Sequence, residues 1–204
     1  MSELRTQPLN NASPKRDALR VALIVGSTRD GRFGHVIANW FATRAARRDD
    51  IELDVIDLVD IELPVRHTHP RSVAVAEYVA RLDRADAFVV VTPEYNHSYP
   101  AGLKHAIDLV RDEWQRKPVS FVSYGGLSGG LRAVEHLRQV FAETHSVTMR
   151  DTVSFHNPWP QFDETGELRD PAATAAAESA VTVMLDQLVW WAAALRVARA
   201  AQLV

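Results

Sequence analysis

The strict alternation of apolar runs with amphipathic stretches is the feature that most constrains how this chain can fold. Five runs have the length and composition of strands, and each is followed by a stretch with helical spacing. The predicted strands are Arg20–Val25, Ile51–Leu58, Ala87–Thr92, Pro118–Tyr124 and Val147–Val153. The predicted helices are Gly34–Arg48, Arg71–Arg84, one opening at Pro100, one beginning at Gly129 or Gly130, and Pro171–Arg199. This order predicts an α/β fold with a parallel sheet covered by helices on both faces.

Size and composition bound the class of protein. With 204 residues, the chain has room for one α/β domain with a sizeable core. A content of 47% apolar and 24% charged residues is typical of a soluble globular protein. The formal net charge of −3 argues against a nucleic-acid binder and against docking on an acidic membrane. The lack of cysteine excludes disulfides, thiolate metal sites and cysteine nucleophiles, and it suits a cytoplasmic location.

The two ends of the chain show neither a targeting segment nor a membrane span. Residues 1–18 are polar and lack the apolar core of a secretory signal, so we predict a flexible leader there. Leu188–Leu195, the longest apolar run near the C-terminus, is too short to cross a bilayer. We therefore predict a single domain over residues 19–204 that includes the last helix.

Three predicted loops leave the carboxyl ends of strands, which is where open α/β sheets bind their ligands. These loops are Gly26–Phe33, Thr92–Pro100 and Tyr124–Gly130. All three carry residue types that suit ligand binding, so each is a candidate part of one site.

The first of these loops fails two nucleotide-binding fingerprints. Gly26 and Gly31 have the spacing of a triphosphate-binding loop, but Arg32 and Phe33 replace the lysine and the hydroxyl residue that follow. Because the hydroxyl ligand for magnesium is missing, a triphosphate loop is excluded. Thr28 stands where the dinucleotide fingerprint requires its second glycine, so that fingerprint is excluded as well.

The chemistry that remains in the first loop suits a terminal monophosphate. Ser27 and Thr28 offer hydroxyls ahead of a helix, whose N-terminus favours negative charge. Arg29 and Arg32 offer charge-assisted contacts to phosphate oxygens. A plain strand-to-helix turn with solvated arginines explains the same residues equally well.

The second loop carries groups that suit a flat heteroaromatic ring. Pro93 stiffens the backbone, Tyr95 offers an aromatic face, and Asn96 offers both a donor and an acceptor. Loop polarity together with a structural tyrosine is the alternative interpretation.

Three stretches of the chain, taken together, resemble a known family. They are GSTRDGRFG, PEYNHSYPAGLKHAID and VSYGGLSGGLRAVEHLRQVF. In this order they resemble the NADPH-dependent FMN reductase family of flavodoxin-like quinone, azo and chromate reductases, over nearly all of residues 20–159. The resemblance implies a flavodoxin-like, doubly wound sheet of five parallel strands in the order 2-1-3-4-5, with FMN at the switch point. It also implies a homodimer or a homotetramer.

The resemblance assigns roles to the matched positions. It implies that Ser27, Arg29 and neighbouring amides hold the FMN phosphate, with Arg32 as a weaker candidate. The residues implied to lie along the flavin ring are Pro93, Glu94, Tyr95 and Asn96 at its edge and Tyr124, Gly125 and Gly126 at its pyrimidine end. His105 departs from the pattern, because it stands in LKHAID where the family usually has asparagine. Any contact made by that asparagine is lost or altered here.

The function implied is that of an FMN-dependent NAD(P)H oxidoreductase. A nicotinamide, NADPH or NADH, would pass hydride to the bound flavin, and a quinone, azo dye, metal oxyanion or free flavin would take the electrons. The chemistry of such enzymes belongs to the cofactor, so we predict no catalytic side chain in the protein. An FMN-binding electron carrier without its own NAD(P)H oxidation is the alternative from another class.

The GLSGG stretch raises a third possibility, a serine hydrolase. Ser128 lies in a G-x-S-x-G motif between a strand and a helix, which is the context of a nucleophile elbow. Asp151 and His156 follow in the chain order of a triad. Both partners lie close together at one strand end, and no glycine-rich oxyanion loop is present, so we rank this alternative last.

Three further groups of residues have both a structural and a functional interpretation. His67 and His69 lack a third ligand nearby, so a solvated loop is predicted there and no metal site. His97 lies in the second loop and is interpreted by default as a solvated residue. Trp190 and Trp191 lie in a helix that is apolar on several faces, and we favour burial of the surplus surface by another subunit over core packing alone.

Overall fold

The computed structural model describes residues 18–64, 66 and 71–201, and it confirms the alternation of strands and helices. The strands are β1 Leu19–Val25, β2 Ile51–Asp57, β3 Ala87–Pro93, β4 Pro118–Gly125, β5 Val147–Thr148 and β6 Val153–His156. The helices are α1 Gly34–Ala45, α2 Val73–Arg84, α3 Ala101–Asp108, α4 Leu131–Glu143 and α5 Pro171–Ala200. Short 3₁₀ turns lie at Leu58–Asp60 and Asp112–Trp114. Most of the predicted leader, and both His67 and His69, fall outside the described residues.

The strands form one parallel sheet in the order β2-β1-β3-β4-β5, with β6 also paired to β4. This order confirms the flavodoxin-like fold. The predicted fifth strand is divided, because Thr148 lies opposite Val119 and Val153 lies opposite Val122. Two extra residues therefore bulge out of the ladder between β5 and β6.

Several element boundaries differ from the predicted ones for local reasons. β2 ends at Asp57, whose carboxylate accepts a hydrogen bond from the Val59 N–H at 3.2 Å and so starts the first 3₁₀ turn. α2 begins after Ser72, whose Oγ caps the helix by accepting from the Val75 N–H. Pro100 and Gly130 are cap residues rather than the first residues of α3 and α4.

The sheet separates two apolar layers. The buried residues of α1 and α5 pack on one face, and those of α2, α3 and α4 pack on the other. Alternate side chains of β1 divide between the layers, as the pleat of a strand requires. All seven residues of β3 are buried, which confirms its central position. This sandwich fixes the carboxyl edge of the sheet, where the three candidate loops emerge.

The C-terminal helix α5 covers one face of the sheet along 30 residues. By length and composition alone it could cross a membrane, a test that core helices of soluble proteins also pass. Its inner face packs into the core through Val181, Met184, Leu185, Leu188 and Ala192. Trp191 packs partly against that core, whereas Trp190 is 61% exposed. The two tryptophans therefore face different surroundings.

A buried lysine ties β4 to the end of α2. The ammonium group of Lys117 donates hydrogen bonds to the carbonyl oxygens of Leu82 at 2.9 Å and of Asp83 at 2.8 Å. These carbonyls lie in the last turn of the helix, where the Leu82 oxygen also accepts from the Ala85 N–H at 3.2 Å. Burial lowers the pKa of Lys117 to about 8.

We expect Lys117→Met to lower the free energy of unfolding. This loss should grow as the pH rises from about 8 to about 10. The folded chain releases this proton at lower pH than the unfolded chain, so the folded state becomes relatively more stable across that window. Urea unfolding of the wild type and the variant at several pH values measures the difference. Lys104→Met, which removes a lysine from the surface of α3, is the matched control. A pH-independent difference for Lys117→Met would contradict the prediction.

Candidate functional site

The three candidate loops meet at the carboxyl edge of the neighbouring strands β1, β3 and β4. The guanidinium carbon of Arg29, after β1, lies 4.7 Å from the ring centroid of Tyr95, after β3. The Phe33 ring meets the Tyr124 ring edge-on, with centroids 6.3 Å apart. Residues that are far apart in the sequence are thus brought together at one place, as the parallel fold requires.

Ser27 carries a buried hydroxyl that no well-formed hydrogen bond satisfies within the described protein, although it lies close enough to the Tyr124 hydroxyl to lower the pKa of that phenol. Its side chain is fully buried, and its Oγ lacks hydrogen-bonding geometry with every described atom. The first turn of α1 lies against it, because a Cβ added to Gly34 would overlap Ser27 Oγ and would lie 2.9 Å from the Tyr124 hydroxyl. Buried hydroxyls are nearly always paired, so an orphan at this position points to a ligand.

The N-terminus of α1 adds a second reason to expect an anion here. Phe33 caps this helix without a side-chain hydrogen bond, so donors of the first turn remain open within the described chain. Open N–H groups and the helix dipole favour negative charge. The orphaned hydroxyl and the open helix end therefore make up one candidate anion site.

Arg29 is placed to serve this anion site. It is exposed, and the face of its guanidinium rests on the Tyr95 ring. It makes no salt bridge within the described part of the chain, so the edge donors of its planar group stay available for an anion.

Arg32 has a different environment, although it lies only three residues further on. Its two terminal nitrogens bind the carboxylate of Asp57 at 2.7 and 2.6 Å, and one of them also donates to the Ser27 carbonyl oxygen at 3.0 Å. The side chains of Arg32 and Asp57 are 15% and 17% exposed. Arg32 therefore holds the first loop against the end of β2, and the structure does not present it to the anion site.

The second loop forms a tight hairpin. Tyr95 N–H donates to the Ser98 carbonyl at 2.8 Å, and Ser98 N–H donates back to Tyr95 at 3.0 Å. Between them, Asn96 and His97 have φ values of 49° and 69°. Positive φ at both central residues is the geometry of a type I′ turn. Type I′ turns usually carry glycine at the second of these positions, and its absence here is why sequence analysis missed the turn.

Glu94 faces helix α4. Its side chain is 7% exposed, accepts from the Ser128 hydroxyl, and lies 2.6 Å from Arg132 Nε. Burial acts to raise the pKa of Glu94, but these hydrogen bonds outweigh it and hold the pKa below its ordinary value. Pro93 is buried at the end of β3, opposite Tyr124. The polar side chains of this loop that remain open to a ligand are those of Tyr95 and Asn96.

The third loop supplies a buried phenol and accessible backbone. Burial raises the pKa of Tyr124 to about 12, against the opposing effects of the Ser27 hydroxyl and the nearby arginines. A Cβ on Gly125 would lie 3.1 Å from the Gly130 nitrogen and 3.3 Å from Glu94 Cβ, so the loops pack closely there. A Cβ on Gly126 would meet nothing within 4 Å, so open space lies beside its backbone.

The residues of the suggested hydrolase triad do not form one. Ser128 donates its hydroxyl hydrogen to Glu94 rather than to a histidine. His156 Nδ1 lies 3.3 Å from the Leu127 carbonyl oxygen, and Asp151 pairs with Arg150 at 2.9 Å. Because no described histidine bonds to Ser128, the geometry does not favour the hydrolase.

His105, which departs from the family pattern, lies away from these contacts. Its Nε2 lies 2.5 Å from the carbonyl oxygen of Pro64, so it connects α3 to the segment after β2. The position therefore contributes to loop attachment.

Comparison with known proteins identifies the family. The chain matches the NADPH-dependent FMN reductase model over residues 19–160. It is 37% identical over 176 residues to the probable NADPH:quinone oxidoreductase 2 of Oryza sativa subsp. japonica, covering 79% of this chain and 83% of that relative. It is 34% identical over 143 residues to the quinone reductase of Escherichia coli K12, covering 65% of this chain and 74% of that relative.

A solved structure has the same fold. The flavoenzyme NAD(P)H:acceptor oxidoreductase of Paracoccus denitrificans superposes with a TM-score of 0.67 at 22% identity, covering 86% of this chain and 97% of that one. At this identity the likeness concerns the fold alone. The family match and the two relatives, by contrast, rest on sequence, and they confirm the resemblance of the three loop motifs. The chain belongs to the NADPH-dependent FMN reductase family.

Proposed function

We propose that this protein is an FMN-dependent NAD(P)H oxidoreductase that delivers electrons to a small-molecule acceptor. The observation that carries the proposal is the buried, unpaired hydroxyl of Ser27 beside the open N-terminus of α1. An anion with several acceptor oxygens satisfies both features at once, and the terminal phosphate of FMN is such an anion. The residues present thus fit the cofactor that the family binds.

We assign the phosphate to Ser27, the first-turn amides of α1 and Arg29. Arg32 supports these phosphate-binding residues indirectly, because it binds both Asp57 and the Ser27 carbonyl oxygen. The residues that we place along the ring are Pro93, Glu94, Tyr95 and Asn96 at its edge, with Pro93 and Glu94 acting through their backbone, and Tyr124, Gly125 and Gly126 at its pyrimidine end.

The chain's own residues bind and orient rather than react. The chemistry that bound FMN supplies is hydride acceptance from a nicotinamide and electron transfer to the acceptor. Glu94 is ionised, and Ser128 and Arg132 already occupy its oxygens, so it has no proton to give. Tyr124 stays protonated at neutral pH because its pKa is raised. No side chain near the loops is set up as a nucleophile.

Quinones are the acceptor class that we propose first, because relatives from rice and Escherichia coli carry quinone reductase names. The electron-carrier alternative would favour an acidic docking surface. The acidic turn after β6 does not offer one, since Asp163 accepts from the Thr165 and Glu167 amides and Glu167 pairs with Arg44 at 2.5 Å. Two of its three carboxylates are thus engaged within the domain, and the third, that of Glu164, lies 3.5 Å from Arg169.

We further propose that residues 19–204 form one FMN-binding domain that assembles as a homodimer or homotetramer in the cytoplasm, without nucleic-acid or membrane partners. Three exposed apolar residues of α5, spaced seven apart, support the assembly: Val183, Trp190 and Val197. Such a stripe lies along one face of a helix. The cysteine-free composition suits a reducing compartment. Light scattering on the purified FMN-loaded protein tests the assembly, and a monomer at all concentrations would overturn it.

Anaerobic bleaching tests the function directly. The protein is reconstituted with FMN, treated with NADPH or NADH, and then given a quinone. We expect either nicotinamide to bleach the flavin band and the quinone to restore it. If the protein retains no FMN, every flavin-dependent function is excluded. If it retains FMN but neither nicotinamide bleaches the flavin, the protein is an electron carrier.

We expect Ser27→Ala to stabilise the FMN-free protein by about 1 kcal/mol and to weaken FMN binding about tenfold. The substitution removes a buried hydroxyl that is unpaired without ligand and that binds phosphate with it. Urea unfolding and fluorescence titration measure the two effects. Ser120→Ala is the matched control, because this buried serine already donates to the Asp151 carbonyl at 2.9 Å, so its loss should destabilise without affecting FMN. A destabilised Ser27→Ala protein would contradict the prediction.

Arg29→Ala should weaken FMN binding by about 10- to 100-fold, the range for a lost charge-assisted contact. Riboflavin, which lacks the phosphate, should bind the variant as it binds the wild type. Titrations with both flavins separate the phosphate contribution from that of the ring. Arg150→Ala removes a fully solvated arginine and serves as the control. An equal loss for FMN and riboflavin would remove Arg29 from the phosphate site.

A further inference from the structure

Three residues spaced four apart contact the loop that follows β3: Ser128 in the turn before α4, and Arg132 and His136 within α4. Ser128 donates to Glu94, Arg132 binds Glu94, and His136 Nδ1 lies 3.0 Å from Ser98 Oγ. Arg132 and His136, four residues apart, lie on the same face of the helix. One face of the α4 start is therefore occupied by this loop.

Arg132 is the centre of these contacts. Its Nε lies 2.6 Å from Glu94 Oε1, a second nitrogen lies 2.6 Å from the same oxygen, and the third lies 2.8 Å from His97 Nε2. A guanidinium has donors only, so His97 Nε2 is the acceptor. All three nitrogens of one planar group are thus used at once, which the single ammonium of lysine cannot reproduce.

The hairpin at residues 95–98 needs support from other parts of the protein. It is a hairpin closed by two backbone hydrogen bonds between Tyr95 and Ser98, and an isolated hairpin is marginal in water. His97 holds a positive φ, which few residues other than glycine adopt. Its ring and the Ser98 hydroxyl, both in the second half of the turn, are contacted from α4. The hairpin conformation therefore depends on α4.

We propose that Ser128 and Arg132 are positioning residues that hold the 95–98 hairpin in its ligand-ready conformation, through Glu94 and His97. This inference rests on the proposed function, in which Tyr95 and Asn96 lie along the flavin ring. It gives the GLSGG stretch a role other than nucleophilic catalysis. Because Tyr95 and Asn96 lie along the ring in the proposed function, these residues set the affinity for the isoalloxazine part of the cofactor.

The test compares hairpin order in the FMN-free protein with flavin affinity. Arg132→Ala should raise the hydrogen-exchange rate of the amides at 94–98, and it should raise the dissociation constants of FMN and riboflavin by the same factor, about tenfold if the hairpin is ordered a tenth of the time. Arg132→Lys should recover only part of the loss. Ser128→Ala, a milder change, should act in the same direction. Arg138→Ala on the same helix, which contacts Met149 and not the hairpin, is the matched control.

A double variant adds an independent check. If Arg132 acts through Glu94, then adding Glu94→Gln to Arg132→Ala should cause little further loss in flavin affinity, because the shared interaction is already gone. Fully additive losses would show that the two residues act separately.

Each remaining outcome decides the matter. Unchanged exchange at 94–98 in Arg132→Ala overturns the inference, and so does a loss for FMN that riboflavin does not share. If Arg138→Ala has the same effect, the cause is general destabilisation of the protein, and the inference is also overturned. If the wild type binds neither flavin, the proposed function fails, while the exchange rates of the FMN-free protein still decide whether Arg132 orders the hairpin.

Discussion

The site depends on where neighbouring parallel strands stop pairing. β1 ends with Val25 opposite Val91, whereas β3 continues for two residues to Pro93, opposite Tyr124. The first loop therefore leaves the sheet earlier than the second, and the edge is stepped. Gly26 makes the early exit possible, because a Cβ there would lie 2.9 Å from Leu103 Cδ2. Ser27 therefore follows a strand that stops pairing two residues before the strand that leads into the hairpin.

Two pairs of similar side chains differ in whether another residue of the protein binds them. Ser27 and Ser128 both have hydroxyls at this edge, yet only Ser128 has an acceptor, the Glu94 carboxylate. Arg29 and Arg32 differ in the same way, because Asp57 binds the guanidinium of Arg32, whereas no described carboxylate binds that of Arg29. An unpaired buried group keeps its desolvation cost until a ligand arrives, and a paired one rigidifies its surroundings. On this basis we propose the unpaired members as binding groups and the paired members as supports.

The part of this arrangement that sequence predicts is the part encoded locally. The apolar period of β3 and the glycines after β1 and β4 identify the strands and the loops, and strand order follows from the family resemblance. Contacts between distant positions leave no local signal, so the capture of Arg32 by Asp57, 25 residues away, was missed. The division of the fifth strand depends on two extra residues relative to β4, which no pattern within Val147–Val153 reveals. His97 stands where a type I′ turn usually has glycine, so the turn leaves no local signal, and a contact from α4 supports it.

The GLSGG motif shows why the surroundings of a serine decide its chemistry. A nucleophilic serine needs a base that is ready to take its proton, and that base must itself be held in the right orientation. Ser128 has a carboxylate as its acceptor, but Arg132 stabilises the ionised form and lowers its proton affinity. A carboxylate with a lowered pKa is a poor general base near neutral pH. The same contacts that prevent nucleophilic catalysis fix Glu94 and the adjoining hairpin, so in a cofactor-dependent site the motif contributes rigidity in place of reactivity.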